Sequence, residues 1–165
     1  MLPDKADLLL VQDNPLEVEL TLRPLRDLEP GCRLAVARDG EEALDYLLGR
    51  SAFRQRLGAP LPRVVLLEFR LPRVDGIEVL RALRASPRAS TTPVVMLLPA
   101  SDAREVAQCY QVGANSCVLK PVEFMQFYHA IQAIGRYWLG SNLAPTASSG
   151  SHATAASRRA SGPGG

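Results

Sequence analysis

The sequence has few of the residues that build metal centres and disulfide frameworks. Its 165 residues include three cysteines and two histidines, and no two cysteines stand at C-x-x-C spacing. An odd count without paired spacing favours neither a zinc site nor a disulfide framework. We therefore interpret Cys32, Cys109 and Cys117 as small apolar residues of a protein in a reducing, cytoplasmic compartment.

Long apolar runs and a strong excess of one charge are also missing. No segment approaches the roughly 18 apolar residues of a membrane-spanning helix, and the N-terminus lacks the basic-then-apolar pattern of a secretory signal. Lys and Arg number 19 and Asp and Glu 17, so the formal net charge is +2. Such a small charge gives no reason to expect a nucleic-acid or membrane partner.

Short apolar runs recur along the chain, and each is followed by a segment with helical periodicity. Such runs are typical of strands that are buried on both faces of a parallel sheet. Asn14 is a predicted helix N-cap, and Asp39 with Glu42 forms a predicted capping box. Five repeats predict an α/β fold with a five-stranded parallel sheet and helices on both faces. The predicted strands are 8–11, 34–37, 64–67, 94–98 and 117–119.

Three further expectations concern helix geometry and the end of the chain. Pro24 lies inside the first predicted helix and is expected to kink it, and the last helix is expected to begin at Pro121. From Ser141 the composition changes to Ser, Ala, Gly and Thr, which bury too little apolar surface to offset the ordering entropy. We expect one domain at 6–139 and a disordered tail at 140–165.

Polar residues follow several of these runs at the points where the strands end. Gln12 and Asp13 follow the first run, Glu68 the third and Lys120 the fifth, whereas the fourth run ends on Leu98. Because the carboxyl ends of parallel strands meet at one edge of a sheet, functional groups collect there. Two carboxylates and a lysine are therefore predicted to converge.

Five segments resemble the response-regulator receiver domain, of the kind found in chemotaxis regulators, over about residues 6 to 139. They are LLLVQDNP, ARDGEEALDYL, VVLLEFRLPRVDGIEVL, PVVMLLPASD and GANSCVLKPVEF. ELTLRPL and IGRYWL resemble more narrowly the single-domain regulators that partner phytochrome-type histidine kinases. The resemblance implies a (βα)5 flavodoxin-like receiver fold, a histidine kinase partner of the phytochrome type, a homodimer and no enzymatic activity.

The resemblance also assigns roles at the predicted site. In that family two acidic residues after the first strand and an aspartate after the third hold Mg²⁺, and the aspartate takes a phosphoryl group from the kinase. Asp13 matches the second acidic ligand and Lys120 matches the cation of the fifth strand. Gln12 stands at the first acidic position and Glu68 at the phosphoacceptor. Asp13, Glu68 and Arg70 are thus the residues of a Mg²⁺ site that we expect to be weak or absent.

The switch residues and the dimer face are likewise taken from the resemblance. Leu98 stands where a Thr or Ser hydroxyl is expected, and Cys117 stands where an aromatic residue of the fifth strand is expected. A leucine cannot donate a hydrogen bond to a phosphoryl oxygen, so both halves of the switch are altered. The predicted dimer face consists of Tyr110, Phe124, Tyr137 and Trp138.

Glu68 decides how these departures are interpreted. Its extra methylene displaces the carboxylate by more than about 1 Å, and both Mg²⁺ coordination and in-line phosphoryl transfer tolerate such displacement badly. The residue is then either a partial mimic of a phosphorylated aspartate or a structural ion-pair partner. We predict a pseudo-receiver that acts as a phosphorylation-independent protein–protein module. The alternative is a working phosphoacceptor that takes phosphate from a histidine kinase with Mg²⁺.

Overall fold

A computed structural model describes residues 2–145 of the chain. Within this range, five β-strands alternate with five α-helices. The strands are β1 Leu8–Val11, β2 Leu34–Ala37, β3 Val64–Glu68, β4 Val94–Leu98 and β5 Ser116–Leu119. The helices are α1 Pro15–Leu28, α2 Gly40–Leu48, α3 Gly76–Ala85, α4 Ala103–Val112 and α5 Phe124–Gly135. A 3-10 helix at Ser51–Gly58 follows α2, and a π-helical turn at Arg136–Ser141 follows α5.

The five strands form one parallel sheet in the order β2-β1-β3-β4-β5. Leu10 of β1 lies opposite Val36 of β2 and Leu66 of β3, and Glu68 at the end of β3 lies opposite Leu97 of β4. All the carboxyl ends therefore lie at one edge. The predicted five-stranded α/β fold is confirmed.

Burial on both faces explains why the strands read as unbroken apolar runs. Successive side chains of a strand point to opposite faces, so Leu9 and Leu67 join the core beneath α2, α3 and α4. Leu8, Leu10 and Leu66 join the core beneath α1 and α5. Every residue of β1, β3 and β4 is buried, as expected for the central strands of such a sheet.

Side-chain caps set the starts of the helices that border the sheet edge. Asn14 accepts hydrogen bonds from the backbone of Leu16 and Glu17, which confirms it as the N-cap of α1. Asp39 accepts from the backbone of Glu42 as predicted. The prediction of the second hydrogen bond of that capping box is wrong, because the Glu42 carboxylate accepts from the backbone nitrogen of Arg38 and not from that of Asp39.

Two further predictions concern the start of α5 and the effect of Pro24 on α1. Helix α5 begins at Phe124, not at Pro121, because Glu123 caps it by accepting from the backbone nitrogens of Met125 and Gln126. Helix α1 continues on both sides of Pro24. The disordered tail predicted at 140–165 falls almost wholly on residues 146–165, which lie outside the described range.

Gly76 provides a test of how tightly the β3–α3 connection is packed. A Cβ added there would overlap the carbonyl oxygen of Glu68 and press on the backbone of Phe69, whereas one added at Gly31 meets no atom within 4 Å. We expect Gly76→Ala to lower the free energy of unfolding by about 1–3 kcal/mol, as overpacked sites do. Chemical denaturation measures the loss. Gly31→Ala is the matched control and should stay within about 0.5 kcal/mol of the parent.

Candidate functional site

Four polar side chains meet at the carboxyl edge of the sheet in a closed ring of hydrogen bonds. The Oε2 atom of Glu68 accepts from Nε2 of Gln12 at 2.9 Å and from Nζ of Lys120 at 2.7 Å. The Oε2 atom of Glu17 accepts from the same two donors, at 2.9 Å and 2.7 Å. Two donors and two carboxylates thus satisfy one another.

Each member of the ring is placed by a different element. Glu68 is the last residue of β3, while Gln12 and Lys120 follow β1 and β5 directly. The side-chain oxygen of Gln12 accepts from the backbone nitrogen of Asn14 at 3.1 Å, which orients the amide with its nitrogen toward the carboxylates. The ring therefore ties three strands and the first turn of α1 together.

Burial makes the charges of this ring interact strongly. The side chain of Glu68 is 4% exposed and that of Lys120 is 13% exposed. Burial raises the pKa of Glu68, and its hydrogen bond and charge pairing with Lys120 offset this only in part, while the Glu17 carboxylate raises it further. Burial alone would lower the pKa of Lys120, but its hydrogen bonds to Glu17 and Glu68 raise it. One ammonium group is shared between two carboxylates, so it stays charged but cannot fully stabilise both.

Glu17 is the site residue that the sequence analysis missed. It lies in the first turn of α1, where an acidic residue ordinarily complements the helix dipole, so its presence there is not by itself a sign of a site. The sequence feature that could have identified Glu17 as a site residue is its position three residues after the Asn14 cap. A helix that starts at the carboxyl edge of the sheet turns its first residues toward the neighbouring strand ends.

Comparison with known proteins identifies the family. The family model described as the response regulator receiver domain matches residues 8–132. The chain belongs to this receiver family. A curated relative, the probable methanogenesis regulatory protein FilR2 of Methanothrix harundinacea, is 38% identical over 86% of this chain and 89% of its own length. The receiver assignment from the five segments is therefore confirmed.

Solved structures connect this receiver with phytochrome response regulators. The bacteriophytochrome response regulator AtBRR is 44% identical, with a TM-score of 0.64 over 81% of this chain and 94% of its own. The Mn²⁺-bound form of response regulator Rcp1 is 25% identical, with a TM-score of 0.74 over 86% of this chain and 100% of its own. The receiver is thus related to the phytochrome-associated regulators, one of which binds a divalent metal.

The residues of this receiver do not fit the Mg²⁺ site that the family implies. Asp13 is exposed, and within residues 2–145 it forms no side-chain hydrogen bond or salt bridge. Gln12 contributes an amide nitrogen where a ligand oxygen is needed, and Lys120 holds the carboxylate of Glu68. In the same part of the chain, no cluster of three His, Cys, Asp or Glu residues is arranged to hold a metal.

The remaining positions named from the sequence lie around the ring without joining it. Arg70 pairs with Glu105 of α4, and its guanidinium lies 5.1 Å from the centre of the Phe69 ring. Leu98 is 2% exposed and belongs to the core beneath α2, α3 and α4. Cys117 packs against that same core. The structure therefore places an apolar side chain at the end of β4.

The four residues of the predicted dimer face do not share one environment. Tyr110 and Tyr137 are about half exposed, and the hydroxyl of Tyr110 accepts from the backbone nitrogen of Cys117 in the edge strand β5. Phe124 is also about half exposed but lines a cavity with residues of α1. Trp138 packs partly against the core beneath α1 and α5. Self-association stays a prediction.

Removal of the shared cation should destabilise the fold strongly. Lys120→Met leaves the buried carboxylate of Glu68 without its cation, and breaking a buried ion pair costs about 3–5 kcal/mol. Urea unfolding at neutral pH measures the loss. The double variant Lys120→Met/Glu68→Gln should recover much of it, because no buried charge is then left alone. Lys5 is exposed, so Lys5→Met is the control and should stay within about 0.5 kcal/mol of the parent.

The raised pKa of Glu68 predicts a specific pH dependence of stability. The ordinary pKa of the Glu68 carboxyl is 4.5. A group whose pKa is raised by folding stabilises the fold fully at pH values below its ordinary pKa. The contribution is lost as pH rises through the folded-state pKa. The free energy of unfolding of the parent should therefore fall relative to that of Glu68→Gln as the pH rises above 4.5. A relative rise would show that the pairing with Lys120 outweighs burial.

Proposed function

We propose that this receiver acts as a phosphorylation-independent protein–protein signalling module of a two-component system. The observation that carries the proposal is the buried contact between Glu68, at the phosphoacceptor position, and Lys120, at 2.7 Å. The cation that would stabilise an incoming phosphoryl group is already paired with carboxylates of the chain itself. The receiver therefore holds one arrangement of its carboxyl edge without a phosphorylation cycle.

The chemistry of the ring supports this reading at two further positions. Phosphoryl transfer needs charge neutralisation at the transferred group and in-line placement of the attacking oxygen. Gln12 removes one negative charge that would attract a metal, and the buried side chain of Leu98 offers no hydroxyl to a phosphoryl oxygen. Glu68 mimics a phosphorylated aspartate only in part, since a carboxylate has one charge and two oxygens.

The relatives support a histidine kinase of the phytochrome type as the partner. AtBRR, at 44% identity, is a bacteriophytochrome response regulator, and we extend that pairing to this receiver. We also propose a homodimer in the cytoplasm, with Tyr110 and Tyr137, both about half exposed, among its contact residues. Among the helices of residues 2–145, none combines the length and the hydropathy that a membrane span requires.

Incubation with a small acyl phosphate tests the proposal directly. We expect the receiver to gain no phosphoryl mass in the presence of acetyl phosphate and Mg²⁺, because its acceptor carboxylate is held by Lys120. Intact-protein mass spectrometry measures the product. A stable phosphoryl adduct that disappears in Glu68→Gln would contradict the proposal. It would favour a working phosphoacceptor. The Mn²⁺-bound form of the relative Rcp1 supports that second candidate.

Restoration of the family pattern provides the complementary test. The triple variant Gln12→Glu, Glu68→Asp and Leu98→Thr should gain Mg²⁺ binding, because it gains a ligand carboxylate at position 12 and shortens the acceptor arm at position 68. Calorimetry with Mg²⁺ measures this against the parent, which should give no binding heat. Circular dichroism of both proteins controls for folding. If the folded triple variant still binds no Mg²⁺, the defect lies outside these three positions.

A further inference from the structure

Glu17 and Glu68 hold the ammonium group of Lys120 equally closely, although they belong to different elements. Each carboxylate accepts from Nζ at 2.7 Å through its Oε2 atom, Glu68 from the end of β3 and Glu17 from the first turn of α1. The amide nitrogen of Gln12 likewise donates to both carboxylates, at 2.9 Å each. A change at one carboxylate therefore leaves the other in contact with both donors.

The backbones of Glu17 and Lys120 are both anchored next to the ring. The side-chain oxygen of Asn14 accepts from the backbone nitrogen of Glu17, and the hydroxyl of Thr21 donates to the carbonyl oxygen of Glu17 at 2.8 Å. The backbone nitrogen of Lys120 donates to the carbonyl oxygen of Leu98 at 2.8 Å. Because only the two side chains have to be ordered, their pairing costs little conformational entropy.

A shorter side chain at position 68 does not by itself free the ammonium group. Aspartate is one C–C bond shorter than glutamate, about 1.5 Å, so the carboxylate in Glu68→Asp lies beyond hydrogen-bond range of an unmoved Lys120. Glu17 keeps its contact of 2.7 Å with that lysine. A phosphoryl group on residue 68 would then compete with Glu17 for a single positive charge.

We propose that Glu17 is a positioning residue that keeps Lys120 away from phosphoryl chemistry, whichever carboxylate stands at position 68. It supplies from α1 the anion that pairs with the ammonium group in place of a phosphoryl group. The proposal rests on the phosphorylation-independent function and deepens it. It assigns the loss of phosphoryl acceptance to a second residue, which lies on a helix and not at the end of a strand.

The helix dipole offers a simpler explanation of Glu17, and the geometry distinguishes the two roles. A glutamate that only complements the dipole needs no more than a negative charge in the first turn. The Oε2 atom of Glu17 instead accepts from both donors of the ring, Gln12 and Lys120. Removal of a residue that served the dipole alone would leave the reactivity of Lys120 unchanged.

The reactivity of Lys120 can be measured directly, because Lys5 is the only other lysine of the sequence. Acetic anhydride transfers an acetyl group to the nitrogen of an unprotonated amine and releases acetate and a proton. Carboxylates at the amine favour its charged form, so a paired lysine reacts slowly. Peptide mass spectrometry of the full chain at neutral pH gives the rate at Lys120 relative to that at the exposed Lys5.

The two carboxylates are separated by combining their variants. Glu68→Asp should raise the relative rate at Lys120 by no more than about threefold, since Glu17 still holds the ammonium group. Glu17→Gln/Glu68→Asp should raise it by about tenfold or more, which is the effect of a fall of one unit in the lysine pKa. Circular dichroism confirms that each variant is folded. A tenfold rise in Glu68→Asp alone, or no rise in the double variant, would overturn the proposal.

Glu19 provides the matched control on the same helix. Its side chain is 67% exposed and pairs with Arg26 at 3.4 Å. Glu19→Gln/Glu68→Asp removes the same charge from α1 and should label as Glu68→Asp does. An equal rise in the two double variants would show a general effect of charge and would also overturn the proposal.

Phosphoryl acceptance gives a second readout that a merely structural role would not change. In the triple variant Gln12→Glu, Glu68→Asp and Leu98→Thr, the addition of Glu17→Gln should raise the rate of phosphorylation by acetyl phosphate and Mg²⁺. We expect a rise of about tenfold or more, because a freed cation stabilises the charge of the transferred group. The addition of Glu19→Gln should not change the rate. A quadruple variant with Glu17→Gln that is no faster than the triple variant would contradict the role of Glu17.

The failure of this proposal and that of the proposed function give different results. If the parent gains phosphoryl mass from acetyl phosphate while labelling of Lys120 depends on Glu17 as expected, the proposed function fails and the hold of Glu17 on the lysine stands. If the parent stays unmodified and labelling does not depend on Glu17, the role of Glu17 fails and the proposed function stands.

Discussion

The carboxyl edge of this receiver depends on one ammonium group shared between two carboxylates. Lys120 reaches from the end of β5 to Glu68 at the end of β3 and to Glu17 in the first turn of α1. A buried carboxylate is costly unless a cation and hydrogen-bond donors surround it. The position of Lys120 therefore ties the ends of β3 and β5 to the first turn of α1 and determines which charges the edge presents.

Sequence patterns predicted most of the sheet, because strands that are buried on both faces accept few residue types other than apolar ones. The runs at Leu8–Val11, Leu34–Ala37 and Val94–Leu98 are strands with the predicted bounds, and β3 and β5 each differ by a single residue. Helix starts were less certain. The apolar periodicity of α5 continues back toward Pro121, but the side chain of Glu123 determines where the helix begins.

The candidate site could be predicted only as far as strand ends determine it. Gln12, Glu68 and Lys120 converge as expected, because each directly ends or follows a strand. Glu17 could not be recognised, since a helix-start glutamate has a sufficient local explanation. Asp13 shows a second limit of prediction from sequence. Its alignment with a metal ligand does not determine the direction of its side chain, and the structure leaves it exposed.

The burial of Leu98 has an evolutionary consequence. At 2% exposure it is packed within the core that supports three helices. The leucine that leaves this edge without a hydroxyl therefore also stabilises the fold. A change to Thr would place a polar group in an apolar setting and remove packing volume at the same time. Selection for a stable core thus opposes any mutation that introduces a hydroxyl at this position, so the leucine tends to be retained.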